Sequence, residues 1–89
     1  MKIKEGFIKH NIGEKSVVVA TGELSVHFHG MIELNQSGSD IWDEIAKGAD
    51  VPQIVETLSQ KYEEDPAFLE ADVLKLIGQM KDAEILEED

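Results

Sequence analysis

Alternating apolar and polar residues in the first third of the chain predict β-strands. The runs FIKHNI and SVVVA are separated by GEK, a glycine-containing connection of hairpin length. A third candidate strand lies in LSVHFHGMIEL, but Gly30 interrupts it, so the firmest strand prediction is Met31 to Leu34. In an extended chain Ile32 and Leu34 share one face, whereas Met31 and Glu33 share the other.

From residue 35 onwards the spacing of apolar residues changes and predicts three helices. Asn35 or Ser37 caps the first helix and Gly48 ends it, while Asp50 and Asp65 cap the second and third. A proline follows each of these aspartates within the first helical turn. The predicted core stripes are Ile41, Trp42 and Ile45, then Ile54, Val55, Leu58 and Tyr62, then Leu69, Val73, Leu76, Ile77 and Met80.

Strands followed by three short helices predict one α+β domain over residues 1–89. The architecture is winged helix-turn-helix-like, with a three-stranded antiparallel sheet followed by three helices. Ile85 and Leu86 are expected to pack back as one short strand. Because no apolar run is long enough to span a membrane and the first residues do not resemble a signal peptide, we expect a cytoplasmic protein without membrane contact.

The net charge of −11 is unevenly distributed along the chain. Residues 1–35 contain four lysines and four glutamates, whereas residues 36–89 contain four lysines and fifteen acidic residues. No arginine occurs, and the predicted third helix carries Glu70, Asp72 and Asp82 against Lys75 and Lys81. Since phosphate neutralisation supplies most non-specific nucleic-acid affinity, we expect no nucleic-acid partner. A winged-helix DNA-binding transcriptional regulator is the alternative function.

The sequence offers no constellation of catalytic residues. The absence of cysteine excludes disulfides, thiolate metal sites and cysteine nucleophiles. His27 and His29 lie one residue apart and share a predicted strand face with Glu33, but a metal site needs three or four convergent ligands. Two polar residues on the solvent side of a half-buried strand are the favoured explanation of this pair, and any further role stays open. We therefore expect no enzymatic activity, no metal site and no cofactor.

The predicted strand from Met31 to Leu34 lies at a sheet edge if the three strands form a meander. It contains no proline or lysine and one charge, Glu33, although edge strands usually carry such protection. An extended peptide can add itself to such an edge as a further strand. Coverage of the edge by a helix of the same domain is the other reading, as is a homodimer formed through it.

Three segments resemble the pyrroloquinoline-quinone biosynthesis protein D (PqqD) family, also called RiPP recognition elements, for ribosomally synthesised and post-translationally modified peptides. The resemblance extends from Gly22 to Leu86. Its most specific part is the strand-to-helix junction, Leu34-Asn35, Gly38 and Ile41-Trp42. The others are Ala71-Asp72-Val73 with Leu76 and Met80, and the close at Ile85-Leu86, where DAEIL replaces the usual ELGLL-like sequence.

The resemblance implies a non-catalytic chaperone that binds the leader segment of a precursor peptide by β-augmentation. It implies that the peptide is then presented to a modifying enzyme, often a radical S-adenosylmethionine (SAM) enzyme. The implied peptide-binding residues are Gly30, Met31, Ile32, Glu33 and Leu34 on the strand, with Leu74, Ile77 and Lys81 on the third helix. Asp72, Lys75 and Gln79, on the opposite flank of that helix, are the competing set.

Overall fold

The structure, a computed structural model, describes residues 2–22 and 31–87. Its strands are β1 (Lys2–Ile3), β2 (Phe7–Ile12), β3 (Lys15–Ala20), β4 (Ile32–Leu34) and β5 (Leu86–Glu87). Its helices are α1 (Gln36–Ala46), α2 (Val51–Tyr62) and α3 (Pro66–Asp82). The antiparallel sheet β2-β3-β4 followed by three helices confirms the predicted α+β fold. None of the helices in the described ranges is long and apolar enough to cross a membrane.

The helices begin where the sequence predicts them to begin. Asn35 is the N-cap of α1, and its side chain accepts a hydrogen bond from the Gly38 amide at 2.8 Å. Asp50 and Gln53 form a reciprocal capping box on α2, which satisfies two amides that the helix itself leaves unpaired. Asp65 caps α3, with Pro66 at its first position. These local signals locate the helices before any tertiary contact is considered.

The core lies between the inner face of the sheet and the three helices. Every residue of the predicted stripes is buried except Tyr62, which is half-buried. Val18 and Leu34 contribute from β3 and β4. Ile85 is fully buried, and its carbonyl accepts a hydrogen bond from the Lys4 amide at 2.8 Å. The pairing of β1 with β5, which the sequence prediction missed, therefore holds both ends of the described chain against the core.

A buried polar cluster fixes the start of α1 beneath the sheet. Lys9 points inwards from β2, and its ammonium lies 2.6 Å from the Ser39 hydroxyl and 2.7 Å from an Asp43 carboxylate oxygen. The Ser39 hydroxyl is also 3.0 Å from that of Ser16 on β3. The side chain of Lys9 is only 11% exposed, so its charge is balanced within the cluster rather than by water. This arrangement holds α1 at a fixed position relative to β3 and, through β3, to β4.

A second polar contact joins α1 to α2. The Tyr62 hydroxyl donates a hydrogen bond to the Asp40 carboxylate, and the Lys61 ammonium lies 2.9 Å from the same oxygen. Partial burial raises the pKa of Asp40. The hydrogen bonds from Tyr62 and Lys61, with the charges of Lys61 and Lys9, outweigh this effect and leave the pKa below its usual value of 3.8.

The lowered pKa of Asp40 predicts a loss of stability in acid. The unfolded chain takes up a proton at this carboxyl near pH 3.8, whereas the folded chain takes it up only at lower pH. The stabilisation is therefore present above pH 3.8 and is lost as the pH falls through the folded pKa. We expect urea unfolding to show a steeper decline of stability below this pH for the wild type than for Asp40→Asn. Parallel declines would contradict the role assigned to Asp40.

Candidate functional site

The strand β4 is an edge strand within the part of the chain that the structure describes. It pairs with β3 on one side, and the structure shows no strand among the described residues on its other side. The predicted strand therefore forms, one residue shorter than expected at its start. The predicted residue Gly30 lies outside the described ranges, as do His27 and His29. In the described ranges no group of three or more His, Asp or Glu side chains is arranged to hold a metal ion.

The hairpin between β2 and β3 determines which backbone groups of β4 face outwards. Ile12 and Lys15 pair directly across the two-residue loop, so they must exchange hydrogen bonds with each other. Pairs then alternate along β3, which directs the amides and carbonyls of Ser16 and Val18 towards β4. Their partners are Leu34 and Ile32. The amide and carbonyl of the intervening residue, Glu33, therefore point away from the sheet, towards the open edge.

The open edge is short because the chain enters α1 directly after it. The Asn35 carbonyl accepts a hydrogen bond from the Ser39 amide at 2.9 Å, so the backbone of Asn35 already serves the helix. Gly38 packs closely here, since a Cβ atom at this position would lie 3.1 Å from the Asn35 side-chain oxygen. This close approach explains the glycine in the junction that resembles the PqqD family. Glu33 is left as the one residue of β4 with both backbone groups on the edge.

A groove of about 440 Å³ runs beside this edge, between β4, the start of α1 and α3. Its floor consists of Leu34, Ile41 and Leu76, all of which are less than 10% exposed and belong to the core. Polar side chains form its rim: Lys15, Glu33 and Asn35 on the sheet side, Ser37 at the start of α1, and Asp72, Lys75 and Gln79 on α3. The buried Gly38 also lines the groove. An apolar floor with a polar rim is the usual composition of a site that binds part of another molecule.

The charges on the rim are only partly paired. The Lys15 ammonium lies 3.1 Å from a Glu33 carboxylate oxygen, but both side chains are more than 60% exposed, so this ion pair contributes little. Asp72 and Lys75 form no ion pair with another described residue. Besides the exposed pair of Lys15 and Glu33, the rim therefore presents to a bound molecule one acidic and one basic side chain that are unpaired among the described residues.

The groove lies on one flank of α3, and the two candidate sets from the sequence lie on opposite flanks. Asp72, Lys75 and Gln79 line it, whereas Leu74, Ile77 and Lys81 are absent from its lining in the described structure. Leu74 is 50% exposed, Ile77 is buried in the core at 6%, and Lys81 is exposed. On the strand, Leu34 is buried, Ile32 is half-buried, and Met31 and Glu33 are exposed.

The sequence did not indicate Lys15, Ser37 or Ile41 as residues of the groove. Ile41 reads as a core residue, which it also is, and Lys15 lies in the predicted hairpin loop. The apolar stripe of α3, which contains Leu69, Val73, Leu76 and Met80, is buried in the core. The sequence pattern identifies this stripe but does not show which of the two flanks beside it faces β4. Only the tertiary packing of α3 distinguishes its two flanks.

Comparisons with known proteins agree with this architecture. A family profile described as Coenzyme PQQ synthesis protein D (PqqD) matches residues 17–86. Among solved structures, the chain is similar to one described as "TbiB1 in Complex with the TbiA(beta) Leader Peptide", with a TM-score of 0.81 and 22% sequence identity. The alignment covers 100% of this chain and 98% of that chain, and at this identity it establishes a shared fold.

A search among curated proteins gave no match. The family match covers β4, the junction after it, all three helices and the start of β5, so it includes every residue of the groove lining except Lys15. The resemblance seen in the sequence is thereby confirmed, and the chain belongs to the PqqD family.

Proposed function

We propose that this protein binds the leader segment of a ribosomally made precursor peptide along β4 and presents the peptide to a modifying enzyme. The observation that carries the proposal is the outward-facing backbone of Glu33 beside a groove with an apolar floor. Membership of the PqqD family supports it. So does the similarity in fold to TbiB1, whose structure is described as a complex with a leader peptide.

Binding proceeds by β-augmentation. A peptide residue placed opposite Glu33 exchanges main-chain hydrogen bonds with it and so sets the register of the added strand. The two neighbouring peptide residues then direct their side chains to the inner face, because side chains alternate along a strand. On that face they meet the groove floor formed by Leu34, Ile41 and Leu76. Main-chain bonds thus supply register, and contacts in the groove supply selectivity.

The residues that we propose for peptide contact come from the predicted strand and from the flank of α3 that lines the groove. On the sheet they are those predicted from the sequence, Gly30, Met31, Ile32, Glu33 and Leu34. On α3 the groove favours Asp72, Lys75 and Gln79, which were the competing set, over Leu74, Ile77 and Lys81.

The protein acts as a binding partner rather than as a catalyst in this proposal. A radical SAM enzyme as the modifying partner and a cytoplasmic location belong to the same proposal. A homodimer formed through the open edge is the competing arrangement, since it would occupy the backbone groups that the peptide needs.

Calorimetry with the precursor peptide encoded in the same operon tests the function. We expect a dissociation constant in the micromolar range or tighter, and a peptide lacking its leader segment should not bind. Absence of binding by the complete peptide at about 100 µM, where even weak specific complexes form, would remove the proposal.

Single-cysteine labelling distinguishes the two flanks of α3. The chain contains no cysteine, so Gln79→Cys and Leu74→Cys each provide one attachment site for an environment-sensitive fluorophore. Both positions are exposed, and they lie on opposite flanks of α3. We expect leader peptide to shift the emission of the label at position 79, because this position lines the groove, and to leave that at position 74 unchanged. The reverse result would assign binding to the flank of Leu74, Ile77 and Lys81.

A further inference from the structure

Phe68 is the most exposed large apolar side chain in the described ranges, with 72% of its surface accessible. It lies in the first turn of α3. A phenyl ring in water forgoes the favourable free energy of apolar burial, and large aromatic side chains dominate the energetics of protein interfaces. The position of Phe68 relative to the groove indicates which molecule can pack on its phenyl ring.

Phe68 continues the groove-lining flank of α3. It precedes Asp72, Lys75 and Gln79 by four, seven and eleven residues, and this spacing places all four on one side of a helix. At 1.5 Å per residue, Phe68 lies about 6 Å beyond Asp72 along the helix axis. The flank from Phe68 to Gln79 is about 16 Å long, which corresponds to roughly five residues of extended peptide.

The backbone holds Phe68 in place before any partner binds. Its amide donates to the Asp65 carbonyl at 3.1 Å, and the Asp65 side chain accepts a hydrogen bond from the Ala67 amide at 2.9 Å. Pro66 restricts the backbone further because its ring fixes one of the two free dihedral angles. A contact residue on such a pre-organised turn loses little conformational entropy on binding.

We infer that Phe68 is a specificity residue for the same peptide, and this inference rests on the proposed function. The group that packs on the Phe68 ring is an apolar side chain of the leader segment. It belongs to a residue that lies beyond the residues that pair with β4. The continuity of Phe68 with the groove flank favours this occupant over a separate partner. The ligand is therefore a segment with two features, a strand that adds to the sheet and an apolar residue that packs on the phenyl ring.

Calorimetry with the precursor peptide and the Phe68→Ala variant tests the inference. We expect binding to weaken about tenfold, because truncation removes most of the apolar surface that the phenyl ring offers to the peptide. Leu74→Ala is the matched control: it truncates another exposed apolar residue of α3, on the other flank, and binding should stay within about twofold. Since Phe68 contributes little to the core, the melting temperature of Phe68→Ala should equal that of the wild type within about 2 °C.

Changes in the peptide identify the contacting residue. Replacing the apolar leader residue that contacts Phe68 by serine should weaken binding to the wild type and have little further effect on Phe68→Ala. Equal affinity of wild type and Phe68→Ala for the peptide would overturn the inference while the proposed function stands. Loss of self-association in Phe68→Ala, measured by sedimentation, with unchanged peptide binding would also overturn it, since a second copy then covers the ring. Failure of the wild type to bind any precursor peptide would remove both proposals.

Discussion

A Glu33→Pro variant is expected to bind the leader peptide about 30-fold more weakly than the wild type. Proline lacks an amide hydrogen, and its ring occupies the space that an added strand needs. The Glu33 amide points to the open edge, whereas Ile32 and Leu34 make the hydrogen bonds to β3. The loss of the amide hydrogen bond, together with the poorer approach of the added strand to the proline ring, amounts to about 2 kcal/mol, which corresponds to the stated change in affinity. Calorimetry measures it.

The fold should survive this substitution because proline is tolerated in edge strands where the amide faces outwards. Glu33→Thr is the matched control, since it removes the carboxylate and the ion pair with Lys15 but keeps the amide. We expect its affinity to stay within about threefold of the wild type, as the exposed ion pair contributes little. Equal losses in both variants would show that the Glu33 side chain, and not the backbone, mediates binding.

Truncating Ile85 is expected to cause a large loss of stability. Its side chain is fully buried, and its carbonyl and amide bond to Lys4 and to Met80. Ile85→Ala leaves a cavity beneath the junction of β1 and β5, at a cost of about 3 kcal/mol. For a domain of this size, such a loss lowers the melting temperature by more than about 10 °C. Fluorescence of Trp42, the single tryptophan and a buried one, reports the unfolding transition.

Ile12→Ala is the control for this prediction. It removes the same atoms from a β2 side chain that is 63% exposed, so stability should change by no more than about 0.5 kcal/mol. Similar losses in the two variants would mean that burial at position 85 does not govern the stability of the domain.

The sequence predicts the helices of this domain well because their signals are local. Asp50 with Gln53, Asp65 with Pro66, and Asn35 before Gly38 each mark a helix start through contacts within four residues. The apolar stripes then identify the core faces. The hairpin was predicted with a three-residue connection, but Lys15 pairs with Ile12 and leaves a two-residue loop. Such boundary differences do not change the topology.

The features that the sequence prediction missed depend on contacts between distant residues. The sequence gives no sign that Lys9 of β2 points inwards, where its ammonium contacts Ser39 and Asp43 of α1. The strand β1 contains two residues and forms only because β5 returns to pair with it. The groove on the Asp72 flank of α3, rather than on the Leu74 flank, follows from how α3 packs against α1 and the sheet. None of these arrangements has a periodic pattern in the chain.

The double role of Leu34, Ile41 and Leu76 limits how domains of this kind can change the peptide that they bind. Each forms the floor of the groove and is also a buried part of the core. A substitution that reshapes the floor for a new peptide would therefore also create a cavity or a clash, at a cost of about 1–5 kcal/mol in a small and marginally stable domain. Adaptation to a new peptide is expected to proceed through solvent-facing neighbours such as Lys75 and Gln79, because substitutions at exposed positions change the free energy of unfolding little.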